Sequence, residues 1–394
     1  MKNFELEARL YLENLQEQVY GFFNLGSNDT GEINNIEFDK IIKRWLKSRN
    51  ALQDDEVAIE NFTKKYRDIL IEAQLNKPTK LEHGGWYSIL KNAEQEFKEI
   101  FKILNYTPPK FYLFGTLPTN RVNGMAMRIP NNPYKLIILE TGLFPFAHSM
   151  CKVLATSFVL KETIDGGVSF STNVDECKNK IDLNPIIIQR FYNILMAYII
   201  SGDVRYIKRY YTDEFQESMK DIMTYEFEYF VFAHEFGHLI AGHLDNSEEK
   251  QINIANTEIN SIIINWQQEF EADNIAASIL INLMLSKGFD VSLSYFGIEV
   301  FWGCIDIVEK TLSILKTGIV DTNTVSETHP PTLMRRERLR KLVAKAFEFD
   351  IETSNSIVSA SKNLESIIKY LWDKIEPAIF ELRKSNIQPS NHWL

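Results

Sequence analysis

Apolar residues recur at helical spacing along most of the chain. This spacing predicts a helical region over residues 1–105. It also predicts five later helices and an amphipathic helical end, over 144–161, 185–201, 214–243, 262–287, 292–316 and from about 331 onward. The chain is therefore expected to be mostly helical.

A different pattern follows Pro108 and Pro109. Short apolar runs alternate there with turn-forming residues, which is typical of β-strands. The predicted strands are 110–115, 123–129 and 135–140. The polar stretches 163–184, 245–256 and 317–328 predict loops, and the first is long enough to be a lid or an insertion. We predict an α+β fold with a small sheet, divided into regions 1–105, 106–345 and 346–394.

Composition excludes several classes of protein. Apolar residues make up 45% and charged residues 24% of the 394 positions, which is typical of a folded globular chain rather than a disordered one. The formal net charge of −10 argues against a nucleic-acid partner, because binding phosphates needs a concentrated basic patch. The most apolar stretches, 136–160 and 186–200, are interrupted by charges or too short, so no membrane span is expected.

Cysteine use and the charged first residues bear on location. Cys151, Cys177 and Cys304 are widely separated and form no CxxC pair, so neither a disulfide framework nor a thiolate metal site is predicted. The start of the chain carries charges where an export signal would be apolar. These features predict a cytoplasmic protein.

Residues 26–37 match the spacing of a calcium-binding loop in part. Gly31 and Glu37 occupy the sixth and twelfth positions of that motif. The first position needs a carboxylate, and here it is Gly26. An ordinary interhelical turn is therefore favoured over a calcium site.

The strongest chemical signal is H-E-x-x-H at residues 234–238. His234 and His238 are four residues apart on a predicted helix, so both imidazoles project from one face, as two ligands of a single zinc ion require. The surrounding helix is apolar on nearly every side, where uncoordinated polar groups would be costly. Core histidines satisfied by hydrogen bonds are the alternative.

A catalytic zinc site needs a third protein ligand. Glu269 on the next predicted helix is the candidate, and Asp273 lies one turn further on the same face, where it can orient a ligating imidazole. Both acids could instead belong to a solvated helix face. Glu271 is interpreted as structural or exposed, and His243, about 140° round a continuous helix from His238, as a helix-end group outside the site.

These motifs resemble those of gluzincin metallopeptidases of the CAAX-prenyl-endopeptidase and heat-shock membrane protease type. The E-F-E-A-D segment at 269–273 is similar to the one that supplies the third ligand in that family. Residues 123–126 with 136–143 are similar to its edge strand and following strand, and 328–335 with Leu339 are similar to its T-H-P-P segment. The resemblance implies a zincin-like core within 106–345, with strand 123–127 beside the substrate cleft.

The resemblance also has departures. The membrane helices typical of those peptidases are missing, Arg336 stands at a usually apolar position, and the insertion 163–184 has no counterpart. Soluble zinc peptidases of bacterial phage exclusion carry a similar H-E-F-G-H helix. The substrates of the membrane members therefore do not transfer.

The expected reaction is zinc-dependent hydrolysis of a protein or peptide substrate. In this mechanism Glu235 is the general base that activates the zinc-bound water and then protonates the leaving amine. His329 is the candidate oxyanion donor, with an ordinary loop histidine as the alternative, and Arg335 is expected to orient an acid such as Asp273.

Three other functions stay open. A regulated defence or signalling module could cleave one intracellular target under control of residues 1–105. A binding protein could use the metal structurally, although such sites usually have four protein ligands. A hydrolase of non-peptide amides would share every ligand.

Overall fold

The computed structural model describes residues 3–23, 75–162, 168–171, 173–245, 249–254, 257–262, 265–320 and 330–390, with a few helical positions between 57 and 71. For the two strands between 249 and 262 only the backbone is described. The calcium-like segment 26–37 and His329 lie outside the described residues, so those two predictions stay predictions.

Helices dominate the described part of the chain, and together with a small sheet they give the expected α+β class. The helices are α1 (Phe4–Phe23), α2 (Gly84–Leu104), α3 (Leu143–Ser157), α4 (Val174–Leu183), α5 (Pro185–Met196), α6 (Glu214–Ile240), α7 (Trp266–Ser286), α8 (Phe296–Thr317), α9 (Thr332–Ala346) and α10 (Ile351–Lys384). A π-helical turn, Ala197–Ser201, continues α5, and short 3₁₀ turns precede α6 and α8.

The main sheet has three strands in the order β1-β3-β2. β3 is parallel to β1 and antiparallel to β2, so β2 has only one partner in the ladder. Two separate antiparallel hairpins, β4-β5 and β6-β7, complete the described strands. Their bounds are β1 (Tyr112–Leu117), β2 (Gly124–Arg128), β3 (Lys135–Glu140), β4 (Val159–Glu162), β5 (Val168–Ser171), β6 (Glu249–Ile254) and β7 (Thr257–Ile262).

Helix α6 runs through the main hydrophobic core. On one side its Phe232 ring lies 5.9 Å from the ring of Phe97 in α2. On another side its Phe230 ring lies 5.3 Å from that of Phe301 in α8. Because helices cover several of its faces, α6 needs apolar residues nearly all round, as its sequence has.

Helix α1 covers the opposite face of the sheet. Side chains alternate along each strand, so Phe114 and Ile137 enter the main core while Leu113 and Leu136 pack against α1. Gln16 of α1 also donates a 2.8 Å hydrogen bond to the backbone oxygen at 116. The division at residue 105 stays a prediction, but both α1 and α2 pack directly on β1.

Three predicted segments differ from the structure. The loop or lid predicted over 163–184 contains helix α4 (Val174–Leu183) as well as strand β5. The helix predicted over 144–161 ends at Ser157, because Val159–Glu162 pairs with Val168–Ser171 as a hairpin inside the expected helix and loop. The loop predicted over 245–256 contains strand β6, which pairs with β7. Isoleucines alternate with polar residues in β6, and this short period-two signal was outweighed by the polar composition.

No single described helix is both long enough and apolar enough to cross a membrane. One bent pair meets the length and composition requirements together, namely α4 with α5 and its continuation to Ser201, across a 90° bend. The three cysteines are buried free thiols.

Candidate metal centre

Two histidines on α6 face the same point. His234 and His238 are one helical turn apart, and their Nε2 atoms lie 3.1 Å from each other. The two rings are nearly perpendicular, at 88°. The His238 side chain is 2% exposed and that of His234 is 11% exposed, so both nitrogens are largely removed from water.

Helix α7 brings a carboxylate to these nitrogens. The helix begins with a capping box between Asn265 and Gln268, and Glu269 follows in its first turn. The Glu269 carboxylate oxygens lie 3.5 Å from Nε2 of His234 and 3.9 Å from Nε2 of His238. Atoms bound tetrahedrally to one zinc ion stand about 3.3 Å apart, so these three need only small movements to match. The structure therefore brings the three predicted ligands together.

The close approach of α6 and α7 depends on Gly237. A Cβ atom at this position would stand 2.8 Å from the carbonyl oxygen of Ala272 and 3.2 Å from its Cβ. Gly237 lies between His234 and His238 in the sequence, and Ala272 lies between Glu269 and Asp273. This contact consequently sets the separation between imidazoles and carboxylates.

Asp273 and Arg335 contact the candidate ligands. Nδ1 of His234 lies 3.0 Å from Oδ1 of Asp273. Arg335 of α9 donates to both Asp273 oxygens, at 2.8 and 2.7 Å, and its remaining terminal nitrogen is 2.9 Å from Glu269. Burial opposes ionisation, but the Arg335 guanidinium outweighs it and holds the pKa of Asp273 below its ordinary value. An ionised Asp273 accepts from Nδ1 of His234, so Nε2 is the nitrogen that faces His238 and Glu269 and is available to a cation in place of a proton.

Glu235 lies against strand β2. A Cβ atom on Gly124 would stand 2.9 Å from Oε1 of Glu235, and the backbone of Ala126 hydrogen-bonds the carboxyl. Burial raises the pKa of Glu235 to about 7, while the charge of His234 opposes this shift. Such a carboxyl can both take and return a proton near neutral pH.

His243 contacts the site in a way that the helical angle did not predict. It is not one of the three clustered ligands, as expected. However, α6 ends at Ile240, and Gly242, with a φ of 70°, turns the chain back. Nδ1 of His243 consequently lies 2.9 Å from Nδ1 of His238, and its Nε2 lies 3.2 Å from Glu271. Gly242 was the available signal, because glycine commonly ends a helix in this conformation.

The donor set fits a divalent cation. Burial lowers the pKa of His234, but the hydrogen bonds that its ring donates to Asp273 and Glu269 outweigh it and raise the value to about 10. Burial lowers the pKa of His238 well below its ordinary value. One proton therefore serves two facing nitrogens in the metal-free chain. A cation in its place would engage both imidazoles and Glu269 at once.

Comparison with known proteins assigns no family to the chain. No protein-family profile matches it, and neither a curated protein nor a solved structure does. The functional interpretation accordingly depends on the geometry of the described residues.

Proposed function

We propose that the chain is a zinc-dependent endopeptidase that hydrolyses peptide bonds of a protein substrate. The observation that carries this proposal is the convergence of His234, His238 and Glu269 beside the buried carboxyl of Glu235. Two imidazoles and one carboxylate form the ligand set of catalytic zinc sites, which keep one position open. A structural zinc site needs a fourth protein ligand, and the clustered group among the described residues has three.

Three residues would hold the ion, and two others would keep them in place. When bound, zinc polarises a carbonyl oxygen and lowers the pKa of a bound water molecule. Asp273 orients His234, and Arg335 holds Asp273 and Glu269 in a fixed relation. This places Arg335 as a positioning residue.

Glu235 would carry the proton of the reaction. It takes a proton from the attacking water as the water oxygen bonds to the peptide carbonyl carbon. It then gives that proton to the amine nitrogen as the C–N bond breaks. The hydrogen bond from Ala126 and the space left by Gly124 hold the carboxyl in position for both transfers.

The edge of β2 would bind the substrate. Among the described strands, β2 is hydrogen-bonded only to β3, and β7 of the second hairpin lies beside it without ladder pairing. β2 also carries the two backbone positions that contact Glu235. An extended peptide can add to such an edge through main-chain hydrogen bonds. This arrangement favours a polypeptide over a small amide.

The test combines metal analysis with peptide cleavage. Wild type and Glu235→Gln are expected to hold one equivalent of zinc, and His234→Ala none. Glu235→Gln should lower cleavage of a peptide library by about 10²- to 10⁴-fold, because only the proton transfer is lost. The matched control is Glu381→Gln, whose side chain is exposed on the surface of α10 and which should cleave like wild type. A wild type without zinc would refute the proposal, and a zinc protein that hydrolyses only non-peptide amides would favour the other hydrolase.

A regulated role in defence or signalling stays a prediction, as does a cytoplasmic location. The oxyanion role of His329 also stays a prediction. Helix α1 is an unsuitable inhibitor, because it packs on the sheet face opposite α6.

A further inference from the structure

The two candidate ligand histidines are supported in different ways. His234 meets a buried acid, Asp273, directly. His238 meets a second imidazole, His243, and that imidazole meets Glu271, whose side chain is 53% exposed. The second support is a three-residue chain from the metal centre to the surface.

The local geometry holds this chain rigidly at its middle. His243 is buried, with 6% of its surface exposed. Its backbone N–H donates to the carbonyl oxygen of His238 at 3.0 Å, and the turn at Gly242 directs its ring towards His238. The two ring centroids lie 5.1 Å apart. His243 therefore has little freedom to turn away from His238.

With both imidazoles neutral, the three groups allow one consistent set of protons. An ionised carboxylate only accepts hydrogen bonds, so Glu271 requires the His243 proton on Nε2. Nδ1 of His243 is then an acceptor, and His238 must carry its proton on Nδ1. Nε2 of His238 is left with a lone pair directed at His234 and Glu269. The reverse order would place a proton on Nε2 of His238, where the cation belongs.

We propose that His243 and Glu271 are positioning residues that select the metal-binding tautomer of His238 and fix its ring. This inference rests on the proposed function, since it gives these residues a purpose only if the site binds a cation. Partners of ligating histidines commonly change metal affinity by about 10- to 100-fold when they are removed.

The variants separate hydrogen bonding from packing. His243→Phe keeps a ring of similar size but removes the acceptor, and we expect zinc affinity to fall about 10- to 100-fold. His243→Asn places an amide oxygen near the Nδ1 position and should recover most of that loss. Glu271→Gln can donate as well as accept, and should weaken zinc by a smaller factor. The matched control is His83→Asn, which removes a histidine that caps α2 away from the site.

The experiment uses the full chain and two readouts. Zinc affinity is measured by competition with a chromophoric chelator, and the imidazole tautomers are read by ¹⁵N NMR of the metal-free protein. The expected spectrum has protons on Nδ1 of His238 and Nε2 of His243, with this preference weakened in Glu271→Gln. Circular dichroism establishes that each variant is folded.

The outcomes distinguish this inference from the proposed function. If wild type binds zinc and His243→Phe binds it equally well, the inference is wrong and the peptidase proposal survives. If wild type binds no zinc, the peptidase proposal fails. The NMR spectrum then still shows whether His243 and Glu271 select the tautomer of His238. A proton on Nδ1 of His243 in wild type overturns the inference directly.

Discussion

Two buried charge clusters meet α9 at adjacent residues, and they are built differently. Arg335 enters the metal-centre cluster, which consists of His234, His238, Glu269, Asp273 and Arg335. Arg336 enters a second cluster with Glu299, Arg340 and Glu365, which we call the arginine clamp. Adjacent side chains on a helix point about 100° apart, so one helix can serve both.

The arginine clamp is balanced within itself. Glu299 of α8 is fully buried and binds both Arg336 and Arg340, the latter with one contact of 3.0 Å. Glu365 of α10 lies 2.7 Å from Arg340 and 3.3 Å from Arg336. Inside the protein, two guanidinium groups face two carboxylates, and the contacts join α8, α9 and α10. A third carboxylate, Glu337, also lies 2.9 Å from Arg340, but its side chain is 47% exposed to water. The clamp also accounts for the burial of Arg336, whose charge it pairs with Glu299 and Glu365.

The metal-centre cluster is not balanced in the same way. Two carboxylates, Glu269 and Asp273, face a single guanidinium, Arg335. In the metal-free chain, one proton between the facing Nε2 atoms of its two imidazoles makes up the difference. A cation could replace that proton, whereas the guanidinium groups of the arginine clamp cannot give theirs up.

The largest expected effects come from removing one carboxylate from each cluster. Glu299→Gln should lower the free energy of unfolding by about 3–5 kcal/mol, because it leaves two buried guanidiniums underpaired. Its zinc content should remain at one equivalent. Glu269→Gln should weaken zinc on the order of a thousand-fold, about 4 kcal/mol, and destabilise the metal-free protein less, since Asp273 still holds Arg335. Chelator competition measures the zinc affinity, and urea unfolding measures the free energy of unfolding. Loss of zinc in Glu299→Gln would show that the two clusters are not independent.

A matched pair of arginine substitutions sharpens the comparison with smaller effects. Arg335→Lys should weaken zinc about 10- to 100-fold, because an ammonium cannot hold Asp273 through two parallel bonds while also reaching Glu269. Arg336→Lys should leave zinc affinity unchanged and lower the free energy of unfolding by about 1–3 kcal/mol. Equal weakening of zinc by both substitutions would show that the two clusters are coupled.

The smallest effect concerns a buried carboxyl that has no arginine contact. Glu82 accepts hydrogen bonds from the Thr116 N–H and from Gln16, and burial raises its pKa from 4.5 to about 7. Because the pKa of Glu82 is higher in the folded than in the unfolded protein, the folded state binds its proton more tightly. The stability that this protonated carboxyl contributes is complete below pH 4.5 and is lost as pH rises to about 7.

Thermal unfolding across this pH range tests the effect. The melting temperature of wild type should fall relative to that of Glu82→Gln between pH 4.5 and 7, by about 1 °C for each kcal/mol in a chain of 394 residues. The control Glu381→Gln should follow wild type. A constant difference between wild type and Glu82→Gln would show that Glu82 has the same pKa in both states.

Local patterns predicted a large part of this architecture. The three strands of the main sheet lie within two residues of their predicted bounds, because short apolar runs there are separated by prolines and asparagines. The relation of His234 to His238 follows from helical geometry alone. The positions of Glu269 and Asp273 on one face of α7 follow in the same way.

Other features depended on neighbours that no local pattern contains. Hairpin β6-β7 was missed because its polar composition favoured a loop. On a continuous helix, His243 would point away from His238. Helix α6 ends before it, and the turn at Gly242 brings its ring back to His238. The partner of Arg336 lies on a helix far away in sequence, so its burial beside Glu299 could not be predicted.

By itself the sequence determined which side chains share a face, since helical and strand periodicities are properties of neighbouring residues. Tertiary structure alone decided that α7 approaches α6 closely enough, through Gly237 and Ala272, for Glu269 to reach the two imidazoles. It also decided that Arg335 balances only part of the acidic charge gathered there. The physical reason is that distances between separate helices are set by the packing of the whole core, to which residues from every part of the chain contribute.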